Sequence, residues 1–165
     1  MHLYFKHIRL LVLLSLLGFA GSTWSAGNHA GGHSHGPDNN AIGQSGQASK
    51  VTRTIPVDMS DSMRFSPSSI SVKVGETIKF VMNNKGKVKH EFVLGTDKEL
   101  KDHYQQMQKF PEMEHDDPNM VTVEPGKSGE VIWKFTTSGM VDFACLLPGH
   151  YDAGMKGSID VGSSK

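Results

Sequence analysis

The sequence predicts an all-β domain, an antiparallel sandwich or barrel, from the pattern of its central and carboxy-terminal parts. Apolar and polar residues alternate in short runs, which is the period of a half-buried strand. Glycine, proline and asparagine separate the runs at short intervals, as is typical of antiparallel sandwiches and barrels. The runs predicted as strands are 51–57, 69–74, 77–83, 90–95, 120–126, 129–135, 139–145 and 157–162.

One segment between these strands predicts a short helical insertion instead. Residues 96–110 read TDKELKDHYQQMQKF, a composition that favours helix. Thr96 or Asp97 can cap its amino terminus, and Glu99 falls in the first turn, where an acidic side chain is favourable. Pro111 and the acidic residues after it end the segment. We therefore expect a single helix inserted into an otherwise all-β domain.

The first 26 residues have the layout of a secretory signal peptide. Lys6 and Arg9 precede an apolar run over residues 10–21, and small residues follow within 22–26. The run has about a dozen apolar residues, whereas a membrane span needs ~20. We expect cleavage within 22–26 and no membrane span afterwards, although the segment could instead remain as an uncleaved anchor. The mature protein is thus predicted to be exported.

Residues 27–50 are predicted to form a flexible tail before the folded domain. The segment is rich in glycine, serine, asparagine and glutamine, and Ile42 is its one bulky aliphatic residue. Such a composition buries too little apolar surface to offset the entropy of ordering. The tail also carries His29, His33 and His35, a tract that either binds copper or zinc loosely or is an ordinary leader remnant. The folded domain is expected over 51–162.

Charge and motif content exclude several classes of function. The chain has 17 basic and 17 acidic residues, and removal of the leader takes away two of the basic ones, Lys6 and Arg9. The mature chain is therefore slightly acidic, which gives nucleic-acid binding little support. The sequence contains no phosphate-binding loop, no serine-hydrolase elbow and no zinc-protease motif. We expect a protein that is not an enzyme.

The stretch CLLPGHYDAGM, residues 145–155, carries the residues that predict the chemistry. Cys145 is the only cysteine, His150 follows it by five positions, and Met155 follows by ten. A single cysteine cannot form an internal disulfide, and metal ligation would protect an exported thiol. A thiolate, an imidazole and a thioether together suit copper, and His90 at the start of a distant strand is the candidate for a fourth ligand.

These residues resemble those of the cupredoxins, the type 1 blue or green copper proteins, and among them the periplasmic copper-tolerance proteins of the CopI type. The resemblance covers 51–162 and is most specific in KHEFVLG, FPEMEHDDPN and FACLLPGHYDAGMKG. It implies a Greek-key β-sandwich that binds one copper ion through His90, Cys145, His150 and Met155. It also implies a periplasmic protein that exchanges single electrons with a redox partner protein, contributes to copper tolerance, or does both.

The sequence departs from the cupredoxin pattern at one position. Many cupredoxins have asparagine after the first histidine ligand, where this chain has Glu91. An ionised glutamate can accept hydrogen bonds from the cysteine loop but cannot donate them. The departure bears on the tuning of the copper site more than on its existence.

A second copper site and two different functions are also compatible with the sequence. The second site could include the methionines and histidines of the insertion, although Met107 could equally pack against the sandwich. The protein could instead be a thiol enzyme with Cys145 as nucleophile and His150 as base, or a metal-free β-sandwich that serves as a binding module. Candidate residues of the second copper site are His103, Met107, Met113, His115 and Met120.

Overall fold

Two five-stranded sheets share one core in the computed structural model, which describes residues 39–163 except 112, 114 and 115. The first sheet holds, in spatial order, β1 (Gln44–Ser45), β8 (Ser128–Lys134), β5 (Thr77–Asn84), β2 (Arg53–Ser60) and β3 (Arg64–Ser66). The second sheet holds β4 (Ser69–Lys73), β10 (Lys156–Gly162), β9 (Gly139–Ala144), β6 (His90–Gly95) and β7 (Met120–Val123). The predicted all-β sandwich is confirmed. The predicted signal peptide, 1–26, lies outside the described residues and stays a prediction.

The sheets are mixed, which differs from the purely antiparallel pairing that the sequence predicts. Strand β2 pairs with β5 in parallel, and β4 pairs with β10 in parallel. In the first case the chain passes through β3 and β4 before it returns as β5, so the returning strand runs in the same direction as β2. The alternation of side chains is the same in both kinds of ladder, and the sequence pattern therefore does not distinguish them.

Aromatic side chains from both sheets fill the core between them. Phe92 and Phe143 have ring centroids 5.0 Å apart, and Phe65 meets Phe143 edge to face at 5.1 Å. Phe80 and Trp133 on the first sheet are 0% and 1% exposed. Edge-to-face and offset pairs of this kind stabilise a core beyond the area they bury. The core also includes Cys145 and Met155, which lie at the two ends of the loop that joins β9 to β10.

The segment 39–50, which the sequence assigns to the flexible tail, is attached to the first sheet. Helix α1 (Asn39–Ile42) places Ile42 in the core at 2% exposure, and its carbonyl accepts a 2.9 Å hydrogen bond from Trp133 Nε1. Strand β1 then pairs with β8, and a 3₁₀ turn (Ala48–Lys50) leads into β2. The predicted domain start at residue 51 is therefore too late, because one buried aliphatic side chain and one indole N–H anchor a segment of polar composition. Residues 27–38 of the predicted tail, including its three histidines, lie outside the described residues.

The predicted helical insertion is confirmed as α2 (Asp97–Lys109). Thr96 caps it, and Thr96 and Glu99 form a reciprocal capping box. Leu100, Tyr104 and Met107 are buried in a second apolar cluster on the outer face of β6 and β9. Strand β6 is consequently buried along its whole length, with the core on one side and α2 on the other. Neither α1 nor α2, the α-helices of the described ranges, has the length and apolarity that a membrane crossing requires.

Candidate metal centre

The topology of the second sheet brings the four predicted ligands to one end of the sandwich. His90 is the first residue of β6, Cys145 directly follows β9, and Met155 directly precedes β10. Strand β9 lies between β6 and β10 and is antiparallel to both. The start of β6, the end of β9 and the start of β10 therefore meet at one edge. His150 lies in the loop that joins β9 to β10.

Three donor atoms converge at this edge. The Nδ1 atoms of His90 and His150 are 3.3 Å apart, and Cys145 Sγ is 3.2 Å from His150 Nδ1. The ligand atoms of the three residues all lie within 4.8 Å of one another. Donors bound to one ion at ~2.0–2.3 Å are separated by about 3.5 Å, so the observed spacing fits a single metal ion. Two imidazoles and a thiol are also the donor set that copper prefers.

Burial sets the protonation state of the thiol. Cys145 is 0% exposed, and this burial raises its pKa to about 12. The backbone N–H of Glu91 donates a 3.3 Å hydrogen bond to Cys145 Sγ, and the Leu147 backbone also favours the thiolate, but neither offsets the burial. In the metal-free protein the thiol is therefore neutral at physiological pH, and a metal must displace its proton.

The two imidazoles are already in the form that binds a metal. Burial lowers the pKa of His90, which is 0% exposed, although the carboxylate of Asp61 opposes this. Burial also lowers the pKa of His150, and the nearby His90 ring lowers it further. Both rings are thus neutral at neutral pH, which leaves a ring nitrogen lone pair available. Since His90 is buried and His150 is only half-buried, His150 is the more accessible of the two rings.

Backbone hydrogen bonds fix the loop that carries His150 and Met155. The N–H of Cys145 donates to the Met155 carbonyl at 3.1 Å, and the N–H of Met155 donates to the His150 carbonyl at 3.1 Å. Gly149 and Gly154 have φ of +84° and +93°, a region that favours glycine. The side chain of Met155 is 0% exposed and belongs to the same core cluster as Cys145. The loop therefore holds its thioether on the apolar side of the site.

Asp61 is a residue of this site that the sequence pattern does not reveal. It lies in the turn between β2 and β3, and its Oδ1 is 3.4 Å from Nε2 of His90. Its carboxylate also accepts hydrogen bonds from the backbone N–H groups of Lys87 and Val88. A carboxylate behind a ligand histidine orients the ring and favours the tautomer with a free Nδ1. Nothing in the sequence marks this aspartate, because the turn meets His90 only through the pairing of distant strands.

Glu91, the departure from the cupredoxin pattern, is buried beside the thiol. It is 6% exposed, and burial raises the pKa of its carboxyl. Lys89, the Leu146 backbone and the Thr122 side chain oppose that rise. Its backbone N–H contacts the sulfur as described above. Its side chain lies between Thr122 of β7 and Leu146, near the start of the loop of residues 145–155, the ligand loop. The Glu91 carboxyl therefore lies where the cupredoxin pattern would place the amide of an asparagine beside the cysteine loop.

Helix α2 braces the ligand loop through two tyrosines, which no sequence motif singles out. The hydroxyl of Tyr104 donates a 2.5 Å hydrogen bond to Asp152, and Gln108 Nε2 donates to that hydroxyl at 2.9 Å. The rings of Tyr104 and Tyr151 stack with centroids 4.7 Å apart, and Lys156 Nζ lies 3.5 Å from the centre of the Tyr151 ring. The insertion thus contacts the residue next to His150 and restrains the loop from outside.

The structure gives the insertion a packing role at Met107. This side chain is 2% exposed within the second apolar cluster, so it packs against the sandwich. His103 on the same helix is half-buried, Met113 is 41% exposed, and Met120 is buried in that cluster. His115 lies outside the described residues. Within the described ranges, the cluster of histidine, cysteine and carboxylate groups that could hold a metal ion is His90, Cys145 and His150.

Comparison with known proteins matches the chain to copper-binding proteins. The family model for copper binding proteins of the plastocyanin/azurin family matches residues 38–162. A copper-resistant cuproprotein CopI of Rubrivivax gelatinosus is 51% identical over 133 residues, covering 81% of this chain and 80% of that protein. A copper-resistant cuproprotein CopI of Pseudomonas aeruginosa is 39% identical over 150 residues, covering 73% of this chain and 82% of the Pseudomonas protein.

Solved structures give the same fold. The auracyanin B structure superposes with a TM-score of 0.58 at 26% identity, covering 67% of this chain and 89% of auracyanin B. Auracyanin of Roseiflexus castenholzii, in its dithionite-reduced form, gives a TM-score of 0.58 at 21% identity, covering 68% of this chain and 98% of that one. The second likeness shows the fold alone. The match of the family model begins at residue 38, which agrees with the attachment of residues 39–50 to the first sheet.

Proposed function

The chain belongs to the plastocyanin/azurin family of copper-binding proteins, and we propose that it is an exported, periplasmic type 1 copper protein that transfers single electrons and contributes to copper tolerance. It binds one copper ion through His90, Cys145, His150 and Met155. The observation that carries this proposal is the convergence of two Nδ1 atoms and one sulfur within 4.8 Å. The CopI proteins to which it is similar, named as copper-resistant cuproproteins, support the role in tolerance.

Each proposed ligand has a distinct task that follows from its position. The thiolate of Cys145 would be the strongest donor and would give a copper complex its colour, and the two imidazoles would supply the nitrogen donors beside it. The buried thioether of Met155 would supply a further, weak donor to the metal. Strand ends and a hydrogen-bonded loop hold these residues, so the chain would keep the ligands in nearly the same positions in both oxidation states. Copper supplies the one-electron redox couple, and the protein supplies a site acceptable to both oxidation states.

The raised pKa of the thiol argues against a thiol enzyme. A nucleophilic cysteine needs its thiolate at neutral pH, and enzymes of this kind lower the pKa of that cysteine. Here burial raises the pKa of Cys145 to about 12, although His150 Nδ1 is only 3.2 Å away. We therefore propose a copper-binding electron carrier and assign no catalytic residue.

Metal analysis combined with a visible spectrum tests the copper site. The purified mature protein should bind one copper per chain and absorb strongly between the blue and the green. Cys145→Ser should abolish the absorption, because the charge-transfer donor is lost, and Met140→Leu at an exposed site is a matched control. A colourless complex of the oxidised metal would contradict the type 1 assignment.

Deletion of the gene separates the physiological roles. If copper tolerance is the main role, the deletion strain should grow poorly in excess copper while its respiration stays normal. The wild-type gene should restore growth, and the Cys145→Ser gene should not. A strain with normal copper tolerance and impaired electron transport would contradict the tolerance part of the proposal and support electron transfer alone.

A further inference from the structure

The segment between β5 and β6 forms an exposed basic surface next to the metal centre. This segment, the lysine loop, comprises residues 85–89 and reads KGKVK. Lys85, Lys87 and Lys89 are all exposed, and Val88 between them is 42% exposed. The loop leads directly into the buried ligand His90. Three cations and one apolar side chain are therefore presented within a few residues of the site.

The backbone of the lysine loop is held in place by residues beneath it. Asn84 is buried, and its Nδ2 donates to the Val88 carbonyl at 2.8 Å while its Oδ1 accepts from Gly86 N–H at 2.9 Å. Asp61 accepts from the Lys87 N–H at 2.8 Å. The loop conformation is thus fixed by main-chain contacts that use none of the lysine ammonium groups. A surface fixed in this way loses little conformational entropy when a partner binds.

The three ammonium groups are not neutralised by neighbours. None of them takes part in an ion pair with another described residue, whereas Lys79, Lys98 and Lys101 each pair with a carboxylate. The carboxylate nearest the loop, Asp61, is engaged by backbone amides and by His90. Of two further acids near the loop, Glu91 is buried, and Glu124 is exposed and directly follows Val123, which pairs with His90.

Arg64 adds a further cation at the same end of the molecule, because its guanidinium donates a 2.7 Å hydrogen bond to the Ala153 carbonyl of the ligand loop. The lysine loop and Arg64 therefore place four cations beside the site, although the mature chain is slightly acidic. Such a local reversal of sign steers an oppositely charged partner towards one face.

We propose that the lysine loop is the docking surface for an acidic redox protein, which exchanges one electron with the copper site. This inference rests on the proposed function as an electron carrier. In the exchange the partner's one-electron centre is oxidised by one electron and the site is reduced by one, with no bond made or broken in the protein. Val88 provides the apolar contact, and the three lysines orient the partner. Electrostatic steering of this kind raises association rates by about 10-fold to 1,000-fold at low salt.

Reduction of the copper-loaded protein by small charged reductants tests the surface. Hexacyanoferrate(II) is the anionic probe and tris(phenanthroline)cobalt(II) the cationic one, each followed by stopped-flow absorption at low and high ionic strength. The variant K85Q/K87Q/K89Q should react about tenfold more slowly with the anion at low salt, and faster with the cation. Both differences should shrink at high salt, where the Debye length is a few ångströms.

A matched control removes the same charge at the opposite end of the sandwich. Lys50, Lys73 and Lys134 are exposed there, and Lys134 pairs with Thr77 at the far end of β5. Eight strand residues separate that end from the lysine loop, a distance of roughly 23 Å. The variant K50Q/K73Q/K134Q should leave both rates nearly unchanged. Equal effects of the two triple variants would show that only net charge matters, and would overturn the proposal.

A second measurement needs no electron transfer. Titration of the ¹⁵N-labelled protein with polyglutamate should shift the amide signals of residues 85–89 and of Arg64, and the lysine-loop variant should lose these shifts. If the protein binds no copper but the shifts are present, the proposed function fails while the acidic docking surface stands. If copper binds and the shifts fall elsewhere, the docking proposal is wrong and the copper site is unaffected.

Discussion

Metal binding should release the proton of Cys145, and this can be measured across a defined range of pH. The sulfur is buried, and burial raises its pKa to about 12 from an ordinary value of 9.0. The two histidines have lowered pKa values, so both are neutral above pH 7. Between about pH 7.5 and 9.5, the proton that a metal displaces is therefore that of the thiol.

The size of the effect follows from the shift. Raising a thiol pKa by about three units costs about 4 kcal/mol, since one unit corresponds to 1.36 kcal/mol. Below this pKa the proton competes with the metal for the sulfur, and the apparent affinity of the metal reflects that competition. Because a raised pKa keeps the proton bound at neutral pH, metal affinity should rise about tenfold for each unit of pH up to about 9.5.

Cobalt(II), which does not oxidise thiols, is a suitable probe for this prediction. Competition titrations against a chelator at several pH values give the affinity, and calorimetry in buffers of different ionisation enthalpy counts the protons released. The wild-type protein should release about one proton per metal at about pH 8, and Cys145→Ala should release none. An affinity that does not vary between about pH 7.5 and 9.5 would refute the reasoning, because it would mean that the thiolate is already formed.

Three further substitutions test the surroundings of the site. Asp61→Asn removes a negative charge 3.4 Å from the His90 ring and should raise the reduction potential, measured by spectroelectrochemistry; an unchanged potential would show that the carboxylate does not act on the site. Tyr104→Phe keeps the ring stack but removes the hydrogen bond to Asp152, and should lower the free energy of unfolding by about 1 kcal/mol in urea titrations of the metal-free protein. Met155→Leu should keep the colour and raise the potential, since loss of a weak axial donor disfavours Cu(II); a lower potential in the same measurement would argue against axial ligation.

Three of the four candidate ligands could be proposed from the sequence because they lie close together along the chain. Cys145, His150 and Met155 lie within 11 residues, and Cys145 is the only cysteine of a chain whose first residues predict export. The helix could also be predicted, since Thr96 and Glu99 supply a capping box that acts within four residues. Strand β4 shows the expected alternation of exposed and buried side chains. Each of these features depends on neighbours along the chain and not on distant contacts.

Other features depend on contacts between distant residues, and no sequence pattern reveals them. Ile42 lies in a segment of polar composition, and only the indole of Trp133, 91 positions later, makes that segment part of the domain. Asp61 meets His90 because β2 pairs with β5 in parallel, a register that no local pattern encodes. Tyr104 reaches Asp152 across the outer face of the second sheet. Propensity and periodicity carry no information about such pairs.

The burial that makes the thiol of Cys145 hard to deprotonate sets a minimum bond strength for any metal that displaces its proton. A metal must supply enough bond energy to the sulfur to displace a proton with a pKa of about 12, in surroundings where Met155 offers only a weak second sulfur. Hard cations such as Mg²⁺ and Ca²⁺ gain little from thiolate or thioether and cannot meet this cost. Copper stands at the top of the divalent series for nitrogen and sulfur ligands, so its bonds to these donors are strong enough to displace the proton. The cost of displacing the proton is the same for every metal, so a preference for copper over its competitors comes from the nitrogen and sulfur donors and not from the burial of the thiol.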